Sequence, residues 1–166
     1  GCLIPVTLNI YRGVTSIMMR EFDPARAWEL IQEEKVTCSL LVPAMLNFML
    51  QVKDIPQYDY SSLRWVQSGA APLPVNLIQQ YAELNIEVHQ IYGLTETCGP
   101  ACVISAESAL KKIGSTGRPF FHTEARVVNT AGDDCVPGEQ GEVWIRGKHV
   151  MLEYWNRPEA TAETIT

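Results

Sequence analysis

The chain has 166 residues, of which 46% are hydrophobic, and it carries a net charge of −6. This composition predicts one folded domain, or one domain with part of another, and excludes a disordered polypeptide. The acidic balance argues against nucleic acid and against anionic membrane surfaces as partners. A phosphate ligand would therefore be held by backbone N–H groups, helix N-termini or a metal ion.

Cysteine use and hydropathy indicate a reduced, cytoplasmic protein without an integral membrane segment. The five cysteines are odd in number, match no disulfide framework and include no second pair to complete a zinc site with Cys98 and Cys102. No apolar run approaches the roughly 20 residues that span a bilayer, and Pro5 and Arg12 interrupt the first segment. The sequence opens without Met, and we expect it to be a piece of a longer protein.

The first third of the chain predicts buried apolar segments and two helices. Residues 3–10 and 14–19 are apolar and β-branched, and we expect both to be buried. Asp23 and Pro24 form a helix start, because Asp caps free N–H groups and Pro suits the first turn. This helix should run to about residue 34. A continuous apolar strand is predicted over residues 36–42, followed by a helix from Pro43 to about Val52.

The same alternation continues to residue 91 and then stops. A strand is predicted over 63–67, an amphipathic helix over 74–84 with Leu77, Ile78 and Tyr81 inward, and a strand over 87–91. Alternating strands and helices indicate βαβ units and a parallel sheet.

After about Lys112, glycine and proline become frequent. Half-buried strands are expected over 124–129 and 141–146, and a helix is expected to begin near Arg157. The predicted fold is therefore α/β. It has a parallel-sheet βαβ domain with helices on both faces over residues 1–113, then the start of a β-rich domain over 114–166.

Two segments at predicted strand ends are candidates for ligand binding, because ligands of open parallel sheets bind beyond the carboxyl ends of the strands. The first comprises Ser68, Gly69, Ala70, Ala71 and Pro72, whose small side chains would let a flat base lie against the backbone. An ordinary strand-to-helix turn explains the same residues equally well.

The second segment offers more chemistry. Tyr92 presents an aromatic face, Gly93 permits close backbone approach, Thr95 carries a hydroxyl and Glu96 supplies a hard oxygen ligand for Mg²⁺. The alternative is a buried tyrosine and a solvated glutamate at a turn. If the strands are neighbours, we expect the two segments to face each other across a nucleotide cleft.

These residues resemble the adenylate-forming (AMP-binding) superfamily, and in particular its acyl-CoA synthetases. Tyr92-Gly93-Leu94-Thr95-Glu96 is similar to the YGxTE motif of that family, and Ser68–Leu73 is similar to its adenine-side loop. Three further segments agree in the same order: Phe22-Asp23-Pro24 with Leu41-Val42-Pro43, Gly114–Pro119, and Gly138–Gly147 with Tyr154–Thr161. Gly114–Pro119 resembles the family's entry into its β-barrel subdomain, which implies that the β-rich domain is small and β-barrel-like.

The resemblance implies a two-step reaction of ATP, a carboxylic acid and coenzyme A. The carboxylate attacks the α-phosphate of ATP to give an acyl-adenylate, and a thiol then displaces AMP. It also implies roles for particular residues. Thr95 would contact phosphate as a catalytic residue, and Glu96 would act as a catalytic residue and hold Mg²⁺. The implied nucleotide-binding residues are Ser68, Gly69, Ala70, Ala71, Pro72, Gln90, Ile91, Tyr92, Gly93, Leu94 and Thr95.

The sequence departs from the family pattern in several places. The family's Gly/Ser/Thr-rich phosphate loop, ribose-binding Asp and C-terminal catalytic Lys are not among these residues, so we expect the 166-residue chain alone to be inactive. Arg12 stands where the family often has glycine, and Glu153 precedes Tyr154 where glycine is usual.

Three other functions stay open at this stage. One is an amino-acid adenylation domain of a peptide synthetase, although Leu94 favours a CoA ligase for a fatty or aryl acid. Another is a non-catalytic nucleotide-binding or scaffold fragment. A third, an oxidoreductase nucleotide fold, is disfavoured because no GxGxxG follows a strand. An oligomer is possible, but no sequence feature supports it.

Overall fold

The computed structural model describes residues 3–112 and 114–165 and divides them into two compact units. The first unit contains the described chain up to Tyr92 together with Cys102–Arg118, and the second contains Gly93–Ala101 and the chain from Pro119 onward. The division into two domains at residues 113 and 114 stays a prediction.

The helices of the first unit begin where the sequence provides a proline or a capping side chain. Asp23 Oδ1 accepts a hydrogen bond from Arg26 N at 2.7 Å, and Lys35 ends the helix in the left-handed conformation with φ of 51°. The predicted helix start is therefore confirmed. The five helices are α1 (Leu3–Arg12), α2 (Pro24–Glu34), α3 (Pro43–Leu50), α4 (Val75–Glu83) and α5 (Ala106–Lys111).

A sheet of five strands confirms the expected α/β fold. Its order is β1-β2-β3-β4-β5, in which β1, β2 and β3 are parallel neighbours. The strands are β1 (Cys38–Leu40), β2 (Trp65–Ser68), β3 (Glu87–Leu94), β4 (Gly99–Val103) and β5 (Arg118–Pro119).

The core of the first unit lies where α2, α3 and α4 pack on the sheet. Trp28 is fully buried, and its Nε1 donates to the Met49 carbonyl at 3.0 Å. Tyr81 is also fully buried, and its hydroxyl donates to the Leu46 carbonyl at 3.0 Å. These bonds satisfy the polar atoms of two large aromatic side chains in an apolar core. Leu77, Ile78 and Tyr81 face inward as predicted.

Several sequence predictions were wrong in detail. Residues 3–10 lie in a helix whose Leu8 and Ile10 are exposed, and Val14, Ile17 and Met18 are also exposed, so neither segment is a buried element. The strand predicted over 36–42 is limited to Cys38–Leu40, and β3 continues past residue 91 to Leu94. Neither β4 nor α5 was predicted. For β4 the reason is that its first two residues, Gly99 and Pro100, are disfavoured in strands.

The second unit contains a two-stranded antiparallel sheet and a short helix. Strands β6 (Glu124–Val128) and β7 (Glu142–Arg146) pair from Glu124 opposite Arg146 to Val128 opposite Glu142. Helix α6 (Pro158–Thr164) follows close to the predicted start. Within the described residues, no helix has both the length and the apolar character needed to cross a membrane.

Candidate functional site

The segment that follows β2 is packed too tightly for a side chain at its second residue. A Cβ placed on Gly69 would lie 2.6 Å from the Ile91 carbonyl oxygen and 2.7 Å from Ile91 Cγ1. Ser68, just before it, is fully buried, and its hydroxyl oxygen finds no hydrogen-bond partner among the described residues. At the end of β2, the Gly69 backbone thus packs closely against the Ile91 backbone, and the buried Ser68 hydroxyl lacks a hydrogen-bond partner among the described residues.

Ala70 has an unusual backbone conformation. Its φ is 70°, in the left-handed region that costs a residue with a Cβ about 1–2 kcal/mol. Such conformations persist where the surrounding structure imposes them, and they are frequent at ligand sites. Ala70, Ala71 and Pro72 are exposed, whereas Leu73 is buried and anchors the far end of the loop.

The loop lies beside the end of β3 within the first unit. Ser68 pairs with Gln90 in the parallel sheet, and the next residue, Gly69, packs closely against Ile91. Gln90 is 7% exposed, and Ile91 and Tyr92 are half-buried. The structure therefore brings the candidate residues on the two strand ends together.

A shallow cleft joins the ends of two predicted strands in the same unit. It encloses about 380 Å³ and is lined at one side by Pro43 and Asn47 of α3 and at the other by Pro72 and Leu77. Pro43 and Pro72, which follow β1 and β2, therefore border one space.

The turn that follows β3 is organised by Thr97, which is 3% exposed. The Thr97 hydroxyl oxygen accepts a hydrogen bond from Leu94 N at 2.9 Å. The same hydroxyl can donate its hydrogen to the Leu94 carbonyl, 3.0 Å away, or to the Gly99 carbonyl, 2.8 Å away. A Cβ on Gly93 would strike the Gly99 backbone. Gly93 is therefore required by the packing of the chain on itself, which the sequence did not reveal.

Thr95 and Glu96 occupy this turn. Thr95 is exposed, and its hydroxyl makes no hydrogen bond in the described part of the chain. Glu96 is half-buried, with its Oε1 2.5 Å from the Tyr154 hydroxyl and its carbonyl accepting from Met151 N at 2.8 Å. The hydrogen bond from Tyr154 lowers the pKa of the Glu96 carboxyl, with a smaller contribution from a backbone hydrogen bond. The same contact raises the pKa of Tyr154.

Sequence reasoning assigned no site role to Thr97 or Tyr154, and it missed the backbone strain at Ala70. Tyr154 lies 58 positions from Glu96 in the chain, so no local spacing could connect them. Thr97 follows the YGxTE motif directly, and a threonine next to a sharp turn is the signal that would have identified it.

The donor set fits a Mg²⁺–nucleotide complex. Mg²⁺ is usually held by one or two carboxylates plus phosphate oxygens, and Glu96 offers a fixed carboxylate with a second oxygen. Groups of three or more His, Cys, Asp or Glu that could hold a metal without a nucleotide are absent from the described residues. The exposed Thr95 hydroxyl, in the same turn as Glu96, adds a polar atom that has no partner in the described chain.

The AMP-binding enzyme family matches residues 1–155, and the chain belongs to this family. The resemblance stated from the motifs is therefore confirmed. The long-chain-fatty-acid–CoA ligase FadD13 of Mycobacterium tuberculosis is 45% identical over 165 residues, which are 98% of this chain and 32% of that protein. The chain thus spans about a third of the length of the relatives it matches.

Two solved structures show the same fold. The inhibitor-bound N-terminal domain of FACL13 from Mycobacterium tuberculosis aligns with a TM-score of 0.92 and 44% identity, covering 99% of this chain and 41% of that one. The o-succinylbenzoate coenzyme A synthetase (MenE) of Bacillus subtilis, solved with ATP and magnesium ion, aligns with a TM-score of 0.88 and 29% identity. This alignment covers 98% of this chain and 33% of the synthetase.

Proposed function

We propose that this chain is part of a cytoplasmic, ATP-dependent acid–thiol ligase that activates a fatty or aryl acid as its acyl-adenylate and transfers it to coenzyme A. The observation that carries the proposal is the turn after β3, where a fixed Glu96 carboxylate and an exposed Thr95 hydroxyl stand next to each other. The family membership supports this function, as do relatives whose names are those of CoA ligases.

In this proposal, different site residues contact the adenine base and the phosphates of the nucleotide. The exposed backbone of Ala70 and Ala71 would form one surface for adenine, and the Tyr92 ring would stack on the base. Thr95 would donate its hydroxyl hydrogen to a phosphate oxygen. These contacts orient the α-phosphate for attack by the carboxylate, and orientation of this kind supplies a large part of such a barrier reduction.

Glu96 would bind the divalent cation through the carboxylate oxygen that Tyr154 leaves free. Bound Mg²⁺ would neutralise negative charge that develops on the phosphate oxygens. A glutamate carboxyl is ionised at neutral pH, as a metal ligand must be, and the hydrogen bond from Tyr154, which lowers the pKa of Glu96, favours the same charged form. Four cysteines among the described residues are free thiols, in keeping with a reducing compartment.

The test is Glu96→Gln in the full-length ligase that contains this chain. The substitution removes the charge and keeps the shape, so we expect adenylation, measured as ATP–pyrophosphate exchange, to fall about 100-fold, or about 2.7 kcal/mol. Glu153→Gln is the matched control, since Glu153 is exposed and makes no hydrogen bond in the described chain. Unchanged exchange in the Glu96 variant would remove Glu96 from the mechanism.

We also propose that the 166-residue chain alone does not catalyse adenylation. The relatives are about three times longer, and the chain matches 32% of FadD13. Purified chain should therefore give no ATP–pyrophosphate exchange above a no-protein control, while the full-length ligase does. Robust exchange by the chain alone would overturn this part of the proposal.

A further inference from the structure

Glu96 is held by two hydrogen bonds that come from one short segment of the second unit. The Tyr154 hydroxyl lies 2.5 Å from Glu96 Oε1, and Met151 N donates to the Glu96 carbonyl oxygen at 2.8 Å. One bond fixes the side chain and the other fixes the backbone. Both the side chain and the backbone of Glu96 are thus restrained by a segment that lies more than 50 positions away in the sequence.

Tyr154 is itself fixed by α6. Its backbone N–H donates to Thr161 Oγ1 at 3.0 Å, and the Thr161 hydroxyl donates to the Arg157 carbonyl at 2.9 Å. Thr161 lies within α6, so the helix holds the tyrosine that holds the carboxylate. These two bonds fix the backbone of Tyr154 against α6.

A carboxylate that accepts a phenolic hydrogen bond on one oxygen presents the other in a fixed direction. Hydrogen bonds to a charged acceptor are roughly twice as strong as those between neutral groups, which restricts rotation of the carboxylate. Groups that hydrogen-bond a metal-binding carboxylate typically change metal affinity 10- to 100-fold, because they orient the ligand before the metal arrives.

We propose that Tyr154 is a positioning residue for Glu96, holding the carboxylate so that its free oxygen meets the divalent cation of the nucleotide complex. This inference rests on the proposed function, in which Glu96 is the metal ligand. It assigns to the Tyr-Trp segment near α6 a role in metal-dependent nucleotide binding, in addition to its place in the fold.

The experiment measures the dissociation constants of Mg·ATP and of ATP in excess EDTA by calorimetry, using the full-length ligase that contains this chain. Tyr154→Phe keeps the ring and removes the hydroxyl. We expect the dissociation constant of Mg·ATP to rise about tenfold, while that of metal-free ATP changes less than twofold. Tyr11→Phe is the matched control, because Tyr11 is 84% exposed and lies in α1.

A double-mutant cycle with Glu96→Gln separates positioning from a general loss of structure. If Tyr154 acts through the carboxylate, Tyr154→Phe should weaken Mg·ATP less than twofold in the Glu96→Gln background. Equal weakening of Mg·ATP and metal-free ATP, or a full effect that persists in that background, would overturn the inference.

The same measurements distinguish failure of this inference from failure of the proposed function. If Glu96→Gln weakens Mg·ATP and Tyr154→Phe does not, only the positioning role is lost. If the unsubstituted ligase shows no metal-dependent affinity, or if Glu96→Gln changes nothing, the proposed role of Glu96 fails and the role of Tyr154 fails with it.

Discussion

Gly69 is a residue of the candidate site that tolerates little change in size. Its α-carbon faces the Ile91 carbonyl so closely that even a methyl group would overlap a backbone oxygen. A backbone atom within a parallel sheet cannot move aside as the end of a flexible side chain can. The small size of this residue is therefore set by the sheet itself, independently of any base that binds beside it.

Gly69→Ala should lower the free energy of unfolding by about 1–3 kcal/mol, as overpacking of a rigid site does. Urea denaturation of the purified chain measures the change. Ile91→Ala provides the control, because it removes the Cγ1 contact and leaves the carbonyl contact in place. If Ile91→Ala restored the stability of Gly69→Ala, the side chain and not the backbone would be the obstacle.

The sequence predicted which residue types stand at the site better than it predicted why they are there. Gly93 was assigned to close approach by a ligand, whereas its α-carbon faces the Gly99 backbone. The left-handed φ of Ala70 has no sequence signal, since alanine seldom adopts it. Glu96 was predicted to be a metal ligand from its chemistry, but its hydrogen bond with Tyr154 depends on folding over a long separation.

At the scale of elements, the turn between β3 and β4 depends on one hydroxyl. Thr97 Oγ1 accepts from one backbone N–H and lies within reach of two carbonyl oxygens, all within the six residues from Leu94 to Gly99. A buried hydroxyl that serves the backbone in this way replaces the hydrogen bonds that water would otherwise supply. Thr97 thus fixes the backbone of the turn that carries Thr95 and Glu96.

Thr97→Val keeps the shape of the side chain and removes its hydroxyl, leaving Leu94 N without its partner. We expect a loss of about 1–3 kcal/mol in unfolding free energy. Thr95→Val is the isosteric control, and we expect it to change stability by less than about 0.5 kcal/mol, because its hydroxyl is exposed. Equal effects of the two substitutions in thermal or urea denaturation would contradict the role given to Thr97.

Elements whose own sequence shows a clear apolar pattern were predicted well, and elements whose burial depends on packing against distant parts of the chain were not. Helix α4 has an apolar stripe at helical spacing, and Leu77, Ile78 and Tyr81 are buried as that stripe requires. Helix α1 is rich in apolar residues, yet Ile10 and Tyr11 are exposed, because burial needs a second element that packs on them. Apolar composition alone does not supply that element.

At the scale of the whole molecule, stability at high pH should depend on a buried tyrosine. Burial raises the pKa of Tyr81 well above its ordinary value, and the Tyr81 hydroxyl donates to the Leu46 carbonyl at 3.0 Å. The unfolded chain releases this proton near pH 10, whereas the folded chain keeps it. The unfolded state therefore binds fewer protons above pH 10, and the free energy of unfolding falls as the pH rises.

Above pH 10, we expect Tyr81 to lower the free energy of unfolding by up to about 1.4 kcal/mol for each pH unit. Urea denaturation between pH 8 and about pH 11 measures the slope. Tyr81→Phe should reduce the slope, even though it lowers stability near pH 8 by removing the hydrogen bond to the Leu46 carbonyl. Tyr11→Phe, at an exposed position, should leave the slope unchanged, and an unaltered slope in the Tyr81 variant would contradict the assignment.

The unequal burial of the tryptophans makes the two units optically distinguishable. Trp28 is fully buried in the first unit, whereas Trp155 of the second unit is 83% exposed. A variant that keeps only Trp28 would emit at a shorter wavelength than one that keeps only Trp155, and the Trp28 emission would shift to longer wavelength as the first unit unfolds. Trp155 directly follows Tyr154 in the sequence, so its fluorescence offers a way to test the proposed binding of nucleotide by Glu96.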